Sequence, residues 1–303
     1  MQKDYLKLHI SVLLSGFTGL FAKLVDLSAG LIVFYRMLFA FLIFWGILGF
    51  KKPHEKDWFK ICALGVLLAV HLIFFFESIK YSTVSIGVVC YSLVGFFTVL
   101  FEPLIRKSKF SFPDLCYSLL AVFGIWLIFN FDTSYRTGII LGVISAALFA
   151  LYTLYNKVIE VDKSTNNMLF YELLGGAVFM GVFLPFYLTH LNVQSILPIG
   201  VEWLWIFVLA FFCTVLLYLF HIGALKTIAA ATVSLTGNLE PIYGILFAVV
   251  FLGEAQDFSV AFYIGMTLIL SSVFLQSFMQ IRFEAQSIKL SDGERRRVDL
   301  RDY

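Results

Sequence analysis

The sequence predicts an all-α membrane protein of ten transmembrane helices arranged as two inverted five-helix repeats. Three observations lead there. Hydrophobic residues make up 60% of the 303-residue chain and charged residues only 14%, against about 25% charged in soluble domains. The apolar residues gather into ten runs, each close to the roughly 20 residues a helix needs to cross a bilayer. The runs before and after the middle of the chain can also be laid over one another.

The runs are 8–25, 30–50, 59–78, 82–105, 113–131, 136–158, 167–189, 201–222, 228–252 and 258–281. Short loops join them and leave no room for a separate soluble domain. The first run lacks a clear cleavage site and nine more follow, so it is read as a retained span and not as a signal peptide. Lys and Arg accumulate in cytoplasmic loops. With the N-terminus inside, the loop basic residues fall there almost entirely, including Lys51, Lys52, Lys56, Lys60 and the tail's Arg295-Arg296-Arg297. Lys23, Lys80 and Arg136 fall outside, and Arg36 lies within a span. Both termini are therefore expected in the cytoplasm, with the chain in a bacterial cytoplasmic (inner) membrane. The polar, basic tail over 283–303 reads as a topology anchor beside anionic lipid. Cys62, Cys90, Cys116 and Cys213 stand singly in apolar runs, without metal-ligand spacing. No cofactor is expected.

The internal repeat rests on residue pairs that recur at matching places in the two halves. Lys80, just before the fourth run, falls on Lys226, before the ninth, and Leu100-Phe101 then falls on Leu246-Phe247. Tyr35-Arg36 in the second run matches Tyr171-Glu172 in the seventh. The units are 1–134 and 135–282. Five spans per unit is an odd number, so the second enters from the opposite side, as in many secondary transporters that hold substrate near the midplane.

The segment Asn238-Leu239-Glu240-Pro241-Ile242-Tyr243, followed by Phe251-Leu252-Gly253-Glu254, resembles the Pro-centred ninth helix of the EamA family in the drug/metabolite transporter superfamily. Gly16-Phe17, Lys23, Ser28 and Arg36 are similar to its first two helices, and Gly142, Ser145, Ala146, Ala150, Tyr152 and Lys157 to the start of its second half. The first half departs: Gly95 stands where the ninth helix has Pro241, and Lys107-Ser108 where it has Gly253-Glu254. The resemblance implies a ten-helix permease, commonly an exporter of amino acids or other small metabolites.

An ionisable group inside a membrane marks a functional site by default. Glu240 is expected about halfway along a continuous ninth helix, ~18 Å from residue 228, with Pro241 bending that helix. Thr236, Glu240 and Tyr243 would share one face at i, i+4 and i+7, with Asn238 beside them. These four, with His71 in the third span and Tyr91 in the fourth, are the candidate substrate-binding residues. Arg36, Glu172, His221 and Pro241 are candidate gate or structural positions. Inversion puts Arg36 and Glu172 at opposite depths, so each is expected to pair locally or to snorkel. Glu77–Lys80 and Glu102–Arg106 are expected as helix-end ion pairs.

No Walker A sequence and no HExxH, GxSxG or paired-aspartate pattern occurs, which argues against an ATPase and against a membrane-embedded enzyme. A secondary permease working by alternating access is expected, with a small-molecule substrate, the lipid bilayer and no nucleic acid as partners. Proton coupling through Glu240 or His71 and plain facilitated efflux both fit, as do a monomer and a dimer. A nonconducting receptor or scaffold is the alternative, and it would favour longer loops than these.

Overall fold

One helix gathers most of the others around it: α3 (Trp58–Lys80). In the computed structural model it packs chiefly on α7 (Arg136–Ile159) and α8 (Thr165–Leu191), and touches α1 (Gln2–Lys23), α2 (Ala29–Ile47) and α4 (Val84–Tyr91). The structure describes residues 2–107, 110–159, 163–191, 195–227, 236–237, 239–272, 274–275 and 278. The chain continues through α5 (Val94–Arg106), α6 (Phe112–Phe131), α9 (Glu202–Ala210), a π-helical segment (Phe211–Leu216), α10 (Leu217–Thr227), α11 (Glu240–Leu252) and α12 (Val260–Ser272). No strand occurs among the described residues. Helices are what such apolar runs must form, because lipid offers no partner to a free backbone N–H or C=O.

Eight helices are long and apolar enough to cross a membrane, and α11 and α12 are shorter apolar helices. Three expected spans differ from plain helices. The fourth is broken: Ser92 and Leu93 turn the chain through i−3 bonds to Val89 and Cys90, separating α4 from α5. The eighth carries the π segment between α9 and α10. The ninth was expected as one bent helix with Glu240 at its centre; instead α11 opens at Glu240, after a turn from Leu239 N–H to the Thr236 carbonyl. Pro241 sits in the first helical turn, where its missing N–H would have had no partner anyway. It starts a helix and does not kink one. Residues 228–235, the first part of the expected ninth span, and the 283–303 tail lie outside the described residues.

The two breaks correspond. α5 begins at Val94 and α11 at Glu240, and each ends on a left-handed residue, Lys107 (φ 53°) and Gly253 (φ 69°). Both pairs keep the spacing that lays Lys80 on Lys226.

Close approaches fix the bundle. A Cβ on Gly65 of α3 would run into the Glu172 backbone carbonyl of α8, and one on Gly175 into the Cys62 backbone. α8 is then tied to α7 as Glu172, fully buried, accepts hydrogen bonds from Tyr152 Oη and Asn156 Nδ2, both at 2.8 Å. On the other side of the bundle α1 meets α11, with Phe17 stacked on Phe247 at 3.8 Å between centroids and Gly16 under Tyr243.

The two ends of the bundle are held differently. At the end carrying the N-terminus, Lys163 pairs with Glu55 at 2.7 Å and Asp57 at 3.3 Å, and Tyr171 Oη donates to the Pro53 carbonyl. Hydrogen bonding to Lys163 holds the Glu55 carboxyl below its ordinary range; Lys60 and then Lys163 do the same for Asp57. The expected Glu102–Arg106 pair forms here at 2.7 Å. At the far end, Glu254 is buried and its carboxylate accepts the Val84 and Ser85 N–H groups at 2.8 and 2.9 Å. An anion on a helix N-terminus is stabilised by both the free donors and the helix dipole. Glu202 likewise accepts the Asp26 N–H at 2.7 Å. Glu77 accepts from Tyr187 Oη at 2.7 Å, and no Glu77–Lys80 ion pair forms among the described residues, contrary to expectation. A tyrosine hydroxyl from α8 reaches the carboxylate first.

Two outcomes test this packing. Gly65→Ala should destabilise the protein by about 1–3 kcal/mol through overpacking, read as a lower thermal unfolding midpoint in detergent; an unchanged midpoint would contradict the close α3–α8 contact. Glu254→Ala should speed amide hydrogen exchange at Val84 and Ser85 about tenfold or more, since bonds to a charged acceptor contribute about 1.5–3 kcal/mol. Unaltered exchange there would show that the carboxylate does not hold α4.

Candidate functional site

A cavity of about 170 Å³ lies at the centre of the bundle. Its walls come from both halves of the chain: α1, α2, α3 and the α4–α5 break from the first, α7, α10 and the start of α11 from the second. The helix breaks supply the irregular backbone there, which at membrane depth is tolerated only against protein or a cavity.

Arg36 is the most constrained wall residue. It is 2% exposed. Its Nε donates to Thr214 Oγ1 at 2.7 Å and its Nη2 to the Cys213 carbonyl at 2.5 Å. Both acceptors belong to the π segment. Thr214 Oγ1 in turn donates to the Leu209 carbonyl at 2.8 Å, five residues back, meeting an acceptor in the widened turn. The Phe76 ring lies 5.7 Å from the guanidinium carbon on another side. No carboxylate reaches ion-pair distance of Arg36 among the described residues, and Nη1 has no partner at all. The expected local ion pair or snorkelling to the surface is thus replaced by deep burial among neutral oxygens.

Glu240 enters the same cavity from the first turn of α11, with Ser15 of α1 in hydrogen-bonding reach. His71 Nδ1 lies 3.0 Å from the Ser145 carbonyl and 2.9 Å from Ser145 Oγ, while that hydroxyl donates to the His71 carbonyl at 3.2 Å. A carbonyl can only accept, so the network assigns the ring hydrogen to Nδ1 and leaves Nε2 as the free ring nitrogen. An aromatic wall adjoins it: Phe149 stands 4.8 Å from His71 and 5.1 Å from Tyr91, with Phe75 6.0 Å from Tyr91. Tyr91 and Tyr218 both line the cavity, and no hydrogen bond of either hydroxyl to protein occurs among the described residues.

Of the residues singled out by sequence, the structure brings Glu240, His71, Tyr91, Arg36, His221 and Pro241 to this one cavity. Tyr243 and Thr236 do not line it; Tyr243 packs with Leu8, Val12, Ala224 and Leu239. The expected shared face fails because the helix carrying Glu240 begins there. Glu172 sits away from the cavity, bound to Tyr152 and Asn156. Asn238 lies outside the described residues. Sequence reasoning missed Ser11, Ser15 and Thr18, although their i, i+4, i+7 spacing on α1 is a readable polar stripe. It also missed Tyr218, Phe149 and the Thr153/Lys157 pair on α7.

A second cavity opens at the far end, bounded by Lys23, Asp26, Ile32, Phe76, Ile79 and Lys80. Phe76, 1% exposed, lines this second space, and its ring centroid lies 5.7 Å from the Arg36 guanidinium carbon.

The chain is 25% identical over 268 residues to the uncharacterized transporter YxxF of Bacillus subtilis, covering 83% of each chain. It is 25% identical over 295 residues to an uncharacterized transporter of Archaeoglobus fulgidus, covering 92% of this chain and 98% of the relative. An uncharacterized transporter of Haemophilus influenzae is 26% identical over 235 residues, covering 73% and 74%. A solved crystal structure superposes with a TM-score of 0.64 at 17% identity, over 92% of this chain and 98% of that one, which establishes a shared fold. The model of the EamA-like transporter family matches twice, over residues 3–130 and 136–278. With a family match across nearly the whole chain, this multi-pass membrane protein belongs to the EamA-like transporter family.

Proposed function

We propose that the chain is a secondary transporter that moves a small metabolite, an amino acid or related compound, by exposing the central cavity to one side of the membrane and then the other. The observation that carries this reading is the cavity itself: one largely apolar space, with Arg36, His71 and Glu240 on its wall, enclosed by helices of both halves. A site between two halves is what rocking motions require.

The inverted repeat belongs to the same proposal, with units 1–134 and 135–282. Helix pairing supports it. α3 packs on α7 and α8; the span made by α9, the π segment and α10 packs on α1 and α2. α5 packs on α7, and α11 on α1. Exchanging the halves maps each pairing onto the other, and the α5 and α11 starts correspond as well. The excess of Lys and Arg at the N-terminal end supports cytoplasmic termini. In that orientation the cavity reaches inward, to Lys157, and the contacts of Glu254 and Glu202 close the outer end. Release outward, as export demands, then requires Glu254 to leave the start of α4 and the packing of Phe76 beside Arg36 to open toward the second cavity. Coupling to protons and plain facilitated efflux both remain compatible with this machinery.

Counterflow tests the reading. Purified protein in liposomes should exchange labelled metabolite against an internal pool. Absence of exchange across a broad metabolite panel, with folded protein, would favour a receptor or scaffold. In protein that folds, Phe76→Ala should raise uncoupled leak of a transported species several-fold; unchanged leak would show that the ring beside Arg36 does not help to close the far end.

A further inference from the structure

A buried charge without a counter-charge is costly, and the cost falls when a partner binds. The central cavity is lined by two groups of opposite sign, Arg36 and Glu240, that feel each other's charge across it but make no direct ion pair among the described residues. Arg36 has one amino group without any partner, though its Nε and Nη2 are fixed by the π segment. Glu240 faces the same space and makes no ion pair among the described residues. The two could have neutralised each other, yet no Arg36–Glu240 ion pair forms. The cavity whose wall they share has room for a solute of modest size.

We propose, building on the transporter reading above, that Arg36 is the residue that reads a carboxylate on the cargo and that Glu240 reads a cationic group, so that cargo is accepted only when it carries both. Three features make Arg36 suited to this. Its charge is permanent and its guanidinium presents donors in a rigid fork that matches a carboxylate. Two of its donors are already committed to Thr214 and Cys213, which fixes the fork's orientation before anything binds. The ring of Phe76 limits where it can move. The cationic end has its own surroundings: Ser15 beside Glu240 and the faces of Tyr91 and Tyr218 on the same cavity wall. Aromatic faces attract cations, and the two free tyrosine hydroxyls can serve either end of the cargo. A solute with a carboxylate alone would leave Glu240 facing an anion; one with an amine alone would leave Arg36 facing a cation. Selection comes as much from those repulsions as from the matched contacts.

The test uses the full-length protein in liposomes loaded with the twenty common L-amino acids, their decarboxylated amines and their deaminated acids, with efflux of each followed by mass spectrometry. The expected result is efflux of species carrying both groups and little of either singly charged series. Arg36→Gln should slow the doubly charged species about tenfold or more, the effect of losing a charge-assisted hydrogen bond, and should raise the relative share of amines. Arg36→Lys should recover only part of the rate. Glu240→Gln should shift the share the other way, toward acids, which keeps the proposal testable should the Arg36 variants not fold. Equal efflux of amines or acids by the natural protein, or unchanged selectivity in folded Arg36→Gln and Glu240→Gln, would overturn it. No efflux from this panel, together with exchange of other metabolites in counterflow, overturns the two-charge assignment alone. Silence in both assays removes the transporter reading too.

Discussion

The charge on Arg36 cannot leave the interior of the bundle, and much of the surrounding structure answers to it. Three neighbours hold the guanidinium: a threonine hydroxyl, a backbone carbonyl and an aromatic ring. Both the carbonyl and the hydroxyl belong to the π turn at Phe211–Leu216 of the eighth span. The local irregularity in one helix is thus the counterpart of a charge on another. Such single-turn π segments are frequent at functional sites for this kind of reason.

A second set of irregularities acts at the same depth. α5 and α11 both begin inside the bundle, at equivalent places in the two halves, yet by different chemistry. Ser92 and Leu93 make the first break with i−3 bonds, and Ser92 Oγ returns a hydrogen bond to the Val89 carbonyl. Pro241 fixes the second start through its ring. The same backbone outcome from Ser-Leu and from Glu-Pro explains why residue identity between the halves is so sparse: what is repeated is a helix start, and several sequences make one. The carboxylate is not repeated, since Val94 stands where Glu240 would fall. The cavity is therefore chemically asymmetric although the helices around it pair alike.

Composition and run length made the membrane-spanning helices legible, and the Leu239-Glu240-Pro241 and Leu252-Gly253-Glu254 segments pointed to the family. The position of the cavity was legible in part. Glu240, His71 and Tyr91 stood out as polar or ionisable residues in apolar runs. Arg36 stood out for the same reason, but its depth did not follow from periodicity, because its partners lie in a π turn that no spacing announces. Thr236 and Tyr243 were grouped with Glu240 on the assumption of one continuous helix, and a proline in the first turn is indistinguishable in sequence from one in the middle. Glu254 reads as an outer-loop acid; only the fold reveals that α4 begins against it. Gly65 and Gly175 were silent in the sequence because their role is the absence of a side chain at a crossing.

Phe76 lines the cavity that opens at the far end beside Lys23 and Lys80, and its ring lies beside the Arg36 guanidinium, which lines the central cavity. In a membrane under voltage, water-filled spaces on either side of a thin partition concentrate the electric field across it. A unit charge crossing 100 mV exchanges about 2.3 kcal/mol with that field. A cargo whose two charges cancel crosses it without electrical work, so the voltage neither drives nor opposes its passage. Only the protein's own charges, Arg36 foremost, would feel the field as the partition opens.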